Sequence, residues 1–374
     1  MSPASPHETA RYIGLMSGTS LDGIDAVLAE IPDEGKTRLV ANYYLPYPTD
    51  LRMQLLKLHV PQTDEIHLAA LAANQLARLY ADAVHTLLHQ AGQDKASISA
   101  IGCHGQTLRH RPEAGYTLQI GNAALLTELT GIPVVSDFRS RDIAAGGQGA
   151  PLVPAFHAQA LRHPSLHRVI VNIGGVANIT DLPPVGPVRG WDTGPGNMLM
   201  DAWVHQNDGA AYDKSGAWAA RGKLNALLLD KLLSHDFLGL PPPKSAGREQ
   251  FNLDYLQTLL SILPASIGPV DVQASLLEFT AQSLCDAIKK EIPGVQEVYV
   301  CGGGVHNDAL MRRIASLMAP VPVSSTGTTG VDPDWMEALA FAWLARQTLH
   351  GLPGNVPEAT GARGARILGA IYPD

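Results

Sequence analysis

Apolar positions recur in two rhythms along this chain. In Tyr12–Met16 and Ile24–Glu30, β-branched and aliphatic residues run together on either side of a polar bend, Ser17-Gly18-Thr19-Ser20-Leu21-Asp22-Gly23, which predicts two strands joined by a turn. A third strand is expected at Arg38–Tyr47. Further on the period lengthens. Leu68, Ala72, Leu76, Leu79, Ala83 and Leu87 return at helical spacing and Gly92 offers a stop, so a long amphipathic helix is expected. Strand Ile98–Gly105, a short strand at YTLQIGN, a helix at AALLTELTG and a strand at IPVVSDF complete the first half.

The second half repeats the order. Arg168–Leu182 is again apolar, glycine bend, apolar, and VRGWDTGPGN supplies a third strand. A helix at NMLMDAWVHQN leads into an irregular insertion, after which Leu277, Ala281, Leu284, Ile288 and Ile292 share one helical face. Strand EVYVCGGG, helix HNDALMRRIASLM, strand VPVSS and helix DWMEALAFAWLARQTLHG close the set. Each half reads as a mixed α/β domain, so the fold class is α/β with a duplicated domain and a cleft between the copies. The expected boundaries are 1–140, rejoined by a segment at about 355–374, and 141–354 with an insertion at about 205–270. A hinge is expected at Arg139–Pro154, whose glycines and prolines disfavour regular structure.

Composition changes this picture mainly by exclusion. The formal charge of −8, with Lys and Arg scattered, gives no basic stripe for nucleic acid. Three cysteines without a CxxC pair suggest neither a disulfide framework nor a zinc knuckle, which fits a reducing cytoplasm. No run approaches the roughly eighteen apolar residues of a membrane span, and the amino terminus lacks the form of an export signal.

The bend at Gly18, Thr19, Ser20, Leu21, Asp22, Gly23, Ile24 and Asp25 suits an anion. Glycines let backbone N–H groups converge, and Thr19 and Ser20 add hydroxyl donors. Asp22 and Asp25 suit a Mg²⁺ ion, held directly or through waters. An ordinary hairpin turn with glycine at positive φ is the alternative, and the second bend at Gly174, Gly175 and Asn178 weighs against it. A third cluster, Gly302, Gly303 and Gly304, lies between a strand and a helix and permits close approach of a flat ring or a phosphate. The dinucleotide fingerprint fails at this third cluster, where Asn307 takes the place of the last glycine, and a Walker loop fails at EIPDEGKT, where Glu30 takes the place of the first. Asp192, at a strand end before a glycine turn, is the candidate general base, with a helix-capping role as its alternative. Asp201 reads as a solvated or structural residue, and Glu337 as closing a capping box with Asp334. The pair His163 and His167 has metal-site spacing, but Pro164 argues against the helix it needs.

Seven strings in order, GLMSGTSLDGIDAVL, CHGQT, SDFRSRDIAAGGQGAPLVP, NIGGVANIT, DTGPGN, PPPKSAGRE and CGGGVHN, resemble the anhydro-N-acetylmuramic acid kinases of bacteria. The resemblance spans nearly the whole chain. It implies a ribonuclease-H-like fold used twice, as in actin and the sugar kinases, and the cofactors ATP and Mg²⁺. It implies that Asp192 activates a water that opens the anhydro ring while O6 takes the γ-phosphoryl group, in peptidoglycan recycling. By the same resemblance Gly18–Asp25, Gly174, Gly175, Asn178 and Gly302–Gly304 contact ATP, while His104, Gln106, Arg139 and Asp142 contact the sugar, and the protein is a homodimer. A simple hexose or acetamido-sugar kinase and an actin-like ATP switch are the alternatives.

Overall fold

The computed structural model describes residues 10–374 apart from 19, 34, 248 and 249. Two compact units emerge. The first comprises the described residues up to Ala160 together with Trp335–Asp374, and the second is Leu161–Asp334.

The first unit is built on strands β1 (Arg11–Met16), β2 (Gly23–Glu30), β3 (Arg38–Pro46), β4 (Ile98–Cys103), β7 (Val134–Ser136) and β13 (Ala370–Tyr372), with a separate hairpin of β5 (Gln106–Arg111) and β6 (Tyr116–Ile120). The main sheet runs β13-β7-β4-β1-β2-β3. Strands β1, β2 and β3 are antiparallel, whereas β4 and β7 join β1 in parallel. One face carries Ile13, Leu15, Ile24, Ala26 and Leu28 into a core shared with the helix Glu65–Ala91, whose Leu76, Tyr80, Val84 and Leu87 are buried. Gly92 ends that helix in the left-handed conformation, as its position suggested.

The other face of the sheet takes the helix Met336–Leu349. Gly14 of β1 and Gly102 of β4 stand opposite one another, and a Cβ on either would strike the carbonyl oxygen of Ala338 or Phe341. Two glycines side by side therefore make a trough in which the helix lies against bare backbone. The two units divide at 160 and at 334, and the division at 334 follows from this helix, which packs on the first sheet. The expected hinge at Arg139–Pro154 also lies wholly inside the first unit. It contains a short helix, Ser140–Ala144, anchored by the buried Asp142. The sequence pattern missed β5, since only Gln106 and Leu108 of its six residues are buried and alternation is faint.

The second unit repeats the plan with β8 (Arg168–Ile173), β9 (Val176–Leu182), β10 (Arg189–Pro195), β11 (Glu297–Cys301) and β12 (Val323–Ser325) in the order β10-β9-β8-β11-β12. Again three antiparallel strands are extended by two parallel ones. The helix Pro269–Glu291 buries Val272, Leu276, Phe279, Leu284 and Ile288, and the insertion folds into helices Ala226–Leu233, Asp236–Gly239 and Leu253–Ser261 that add Leu228, Leu232, Phe237 and Leu256 to the same core. Both units have the strand order of a ribonuclease-H-like domain, so the chain has the duplicated α/β fold of the actin and sugar-kinase superfamily.

Candidate active site

In the first unit the bend between β1 and β2 is tied down by side chains. Ser17 Oγ is fully buried, 2.7 Å from the Tyr80 hydroxyl, and donates to the Gly105 carbonyl at 3.0 Å. The Gly18 carbonyl accepts from Leu21 N–H at 3.3 Å and from Gln106 Nε2 at 3.1 Å, while Gln106 Oε1 accepts from the Tyr47 hydroxyl. Neither Gly18 nor Gly23 has a positive φ. Leu21 takes the left-handed position instead, at φ 57°, with its side chain buried beside Ile24. The hydroxyl of Ser20 donates to Asp22 Oδ1 at 2.6 Å, and Gly23 N–H donates to the same oxygen at 3.1 Å. Asp22 is exposed and Asp25 half-buried. Burial raises the Tyr44 phenol to about 12, and the charges of Asp22 and Asp25 add to it, so both carboxylates lie near one ring. Thr19 lies outside the described residues.

The four expected sugar contacts separate into two pairs. Asp142 is completely buried, and its oxygens accept from Gly149 N–H, Asn355 Nδ2 and the Thr360 hydroxyl at 2.8, 2.6 and 2.8 Å. Gln106 is likewise buried, with one end of its amide engaged by the bend and the other by the Tyr47 hydroxyl. Both are fully buried with these bonds made. They hold the loops that carry other groups. Arg139 and His104 form the second pair, with Arg139 Nε donating to His104 Nε2 at 3.0 Å and Nη1 to the Gly149 carbonyl at 2.7 Å. Burial, then the Arg139 charge, holds the His104 imidazole well below its usual range, so it is neutral. Burial lowers Arg139 to about 10 against the opposing pull of Glu337 and Asp142. Glu337 does not cap its helix with Asp334, because Trp335 is the cap residue and Asp334 pairs with His306 at 2.7 Å. Its carboxyl is raised by burial and drawn back by Arg139.

In the second unit, Asn172 of β8, Asn178 of β9 and Asp192 of β10 are direct cross-strand partners. Residues in register share a sheet face, so these three form a polar row. Asp192 is not a helix cap. Its Oδ2 accepts from Ala246 N–H at 2.8 Å, its own N–H donates to the Lys244 carbonyl at 3.0 Å, and burial raises its carboxyl to about 7 against the Ala246 hydrogen bond and the Lys244 charge. A carboxylate that gains and loses a proton near neutrality is poised for general base work. Asp201 is also raised to about 7, by burial and then by the Asp213 charge, so it is not simply solvated.

Gly174 and Gly175 turn the chain between β8 and β9, and their carbonyls accept from the N–H groups of Gly196, Asn197 and Met198. The start of the helix Met198–Asp208 is thus capped by the bend itself. Of the third cluster, Gly302 is required by its φ of 79° and by Asn172, and Gly304 by the Ile173 side chain. At Gly303 an added Cβ would find, among the described residues, only Asn197 Nδ2, at 3.8 Å, so its face is open to them.

A family model described as anhydro-N-acetylmuramic acid kinase matches residues 10–374. The enzyme of that name from Thiobacillus denitrificans is 68% identical over 373 residues, covering 100% of both chains. The chain belongs to the anhydro-N-acetylmuramic acid kinase family. The Nitrosospira multiformis member is 55% identical over 368 residues, covering 98% of this chain and 100% of its own. Among solved structures, component A of (R)-2-hydroxyglutaryl-CoA dehydratase from Acidaminococcus fermentans aligns with a TM-score of 0.50 at 13% identity, covering 89% of this chain and 96% of its own, and that likeness speaks to the fold alone.

As an anhydro-N-acetylmuramic acid kinase the chain is a phosphotransferase that uses ATP and a sugar acceptor. Three residues placed beside the expected ones escaped the sequence pattern: Asn172, Lys244 and Glu337. Asn172 carries a legible signal, a lone amide in the apolar run Val169–Ile173. Glu337 reads in the sequence only as a cap partner and Lys244 only as part of the string PPPKSAGRE, since only tertiary packing brings them to Asp192 and Arg139.

Proposed function

We propose that this kinase hydrolyses the 1,6-anhydro bond of anhydro-N-acetylmuramic acid and phosphorylates the released oxygen in one reaction. Asp192 takes a proton from water, and the water oxygen bonds to C1. The C1–O6 bond breaks with its electron pair on O6, and O6 bonds to the γ-phosphorus as the bond to the ADP oxygen breaks. The products are N-acetylmuramic acid 6-phosphate and ADP, and the process serves cell-wall recycling. The observation that carries this reading is the half-buried Asp192 carboxyl, raised to about 7 and fixed by the Ala246 amide.

The Gly18–Asp25 bend suits the phosphate tail of ATP, with Gly174, Gly175, Asn178 and the open Gly303 face as further nucleotide contacts beside Gly302 and Gly304. The hard oxygen donors of Asp22 and Asp25 fit Mg²⁺, which commonly binds one or two carboxylates, several waters and substrate phosphates. The ion would supply charge neutralisation on the phosphates. Arg139 has N–H groups beyond those given to His104 and Gly149, which suits pairing with the lactyl carboxylate. A cytoplasmic homodimer is the form we propose. Three buried cysteines suit that compartment, and among the described residues no helix is long and apolar enough to cross a membrane.

Turnover in isotope-labelled water tests the chemistry. Solvent oxygen at C1 of the product supports hydrolytic opening, whereas its absence indicates simple phosphorylation. ADP release without any sugar would instead indicate a nucleotide switch. Asp192→Asn should lower turnover by about 10²–10⁴ with ATP affinity nearly intact.

A further inference from the structure

We propose that Lys244 is a positioning residue for the catalytic base, acting through the loop that clamps Asp192. The proposal rests on the reading of Asp192 as that base. Residues 244–246 run along the outer side of β10, the edge strand of its sheet, and bond Asp192 twice: the Lys244 carbonyl accepts Asp192 N–H at 3.0 Å, and Ala246 N–H donates to Oδ2 at 2.8 Å. These two bonds fix the carboxylate's distance and rotation relative to the sheet.

The clamp needs an anchor of its own, and the Lys244 side chain supplies it. Its Nζ donates to the carbonyls of Phe237 at 2.9 Å and Leu238 at 3.1 Å, in the helix Asp236–Gly239. The ammonium also lies 4.6 Å from the centre of the Phe237 ring, an attractive cation–π distance. Phe237 is itself buried in the core of the second unit. The ammonium therefore ties the loop to a fixed point of that core, and the backbone two residues on transmits the position to Asp192. Among the described residues, Lys290 and Glu291 are the other charged groups felt by Lys244, with opposite signs. A lysine here also keeps a positive charge near the base, favouring its ionised form.

Steady-state rates of the full-length enzyme with ATP and anhydro sugar, measured across pH, test this. Lys244→Met keeps the apolar stem and removes the two carbonyl bonds and the charge. We expect kcat at neutral pH to fall by about 10–10²-fold, the scale of a misplaced reacting group. Both KM values should stay within about twofold, and the acid limb of kcat should move up by about one pH unit. Lys244→Gln retains a donor to the carbonyls and should move the limb the same way with a smaller loss of kcat; it decides the matter if the methionine variant does not fold. Ala246→Pro removes the transmitting N–H, and the double variant with Lys244→Met should be no slower than Ala246→Pro alone.

An unmoved acid limb in a folded Lys244 variant, a rise in KM without loss of kcat, or multiplicative losses in the double variant would overturn the proposal. Asp192→Asn, assayed alongside, separates the two failures. Near-normal turnover there removes the base itself, whereas collapse there with normal Lys244 variants removes only the role of Lys244.

Discussion

The two glycine bends stand at the same place in the two units, between the first and second strands of each sheet, and they are secured by different kinds of bond. Around Gly18 the anchors are side chains: Gln106 on the Gly18 carbonyl, Tyr47 on Gln106, Tyr80 and Gly105 on Ser17. Around Gly174 they are backbone: three consecutive N–H groups at a helix start donate into the Gly174 and Gly175 carbonyls. A duplicated fold thus repeats strand order without repeating what stabilises its loops. Side-chain anchors leave the first bend free to carry Ser20, Asp22 and Asp25 outward. Backbone anchors hold the second bend rigidly beside the Asn172, Asn178 and Asp192 row.

The comparison predicts its strongest effect at Gly196, where a Cβ would meet the Gly174 carbonyl oxygen and lie 3.1 Å from the Val176 carbonyl carbon. Gly196→Ala should destabilise the protein by about 3 kcal/mol in chemical denaturation, the upper range for forced overpacking; stability like the parent's would mean the staple is dispensable. Gln106→Ala comes next. It removes one of the two bonds to the Gly18 carbonyl and the Tyr47 hydroxyl's bond to Gln106 Oε1, so a loss of about 2 kcal/mol is expected together with a several-fold rise in KM for ATP. Parental KM in that variant would separate the anchor from phosphate binding.

A third difference concerns pH. Asp192 is raised by burial to about 7 in the folded protein, against about 3.9 when unfolded. Between those values the folded state retains a proton that the unfolded state has released, so this group's contribution to stability falls as pH rises from about 4 and is fully lost above about 7. Melting temperatures of Asp192→Asn should therefore match the parent at about pH 4 and exceed it at about pH 8. A constant gap at both would mean the carboxyl is not perturbed. The smallest effect on stability is expected at Gly18, whose Cβ position is bounded by Ser20 Oγ at 3.5 Å. Gly18→Ala should stay within about 0.5 kcal/mol of the parent, with any change confined to KM for ATP. A large loss of stability there would erase the contrast with Gly196.

Local chemistry made much of this legible in the chain itself. Apolar rhythm gave the repeated three-strand openings and the long helix ending at Gly92, because strand and helix periods are set by backbone geometry that every residue shares. The motif strings located both bends, Asp192 and the Gly302–Gly304 turn, since close backbone approach and strand-end carboxylates need particular residue types wherever they occur. Three matters depended on packing between distant segments. The helix at 336–349 belongs with the first sheet because Gly14 and Gly102 open a trough that no local pattern reveals. Asp142 and Gln106 are polar residues spent on holding loops, which only burial and saturated hydrogen bonds disclose. Lys244 reaches the neighbourhood of Asp192 from 52 positions further along the chain, and it does so because tertiary folding alone decides which backbone amide a carboxylate meets.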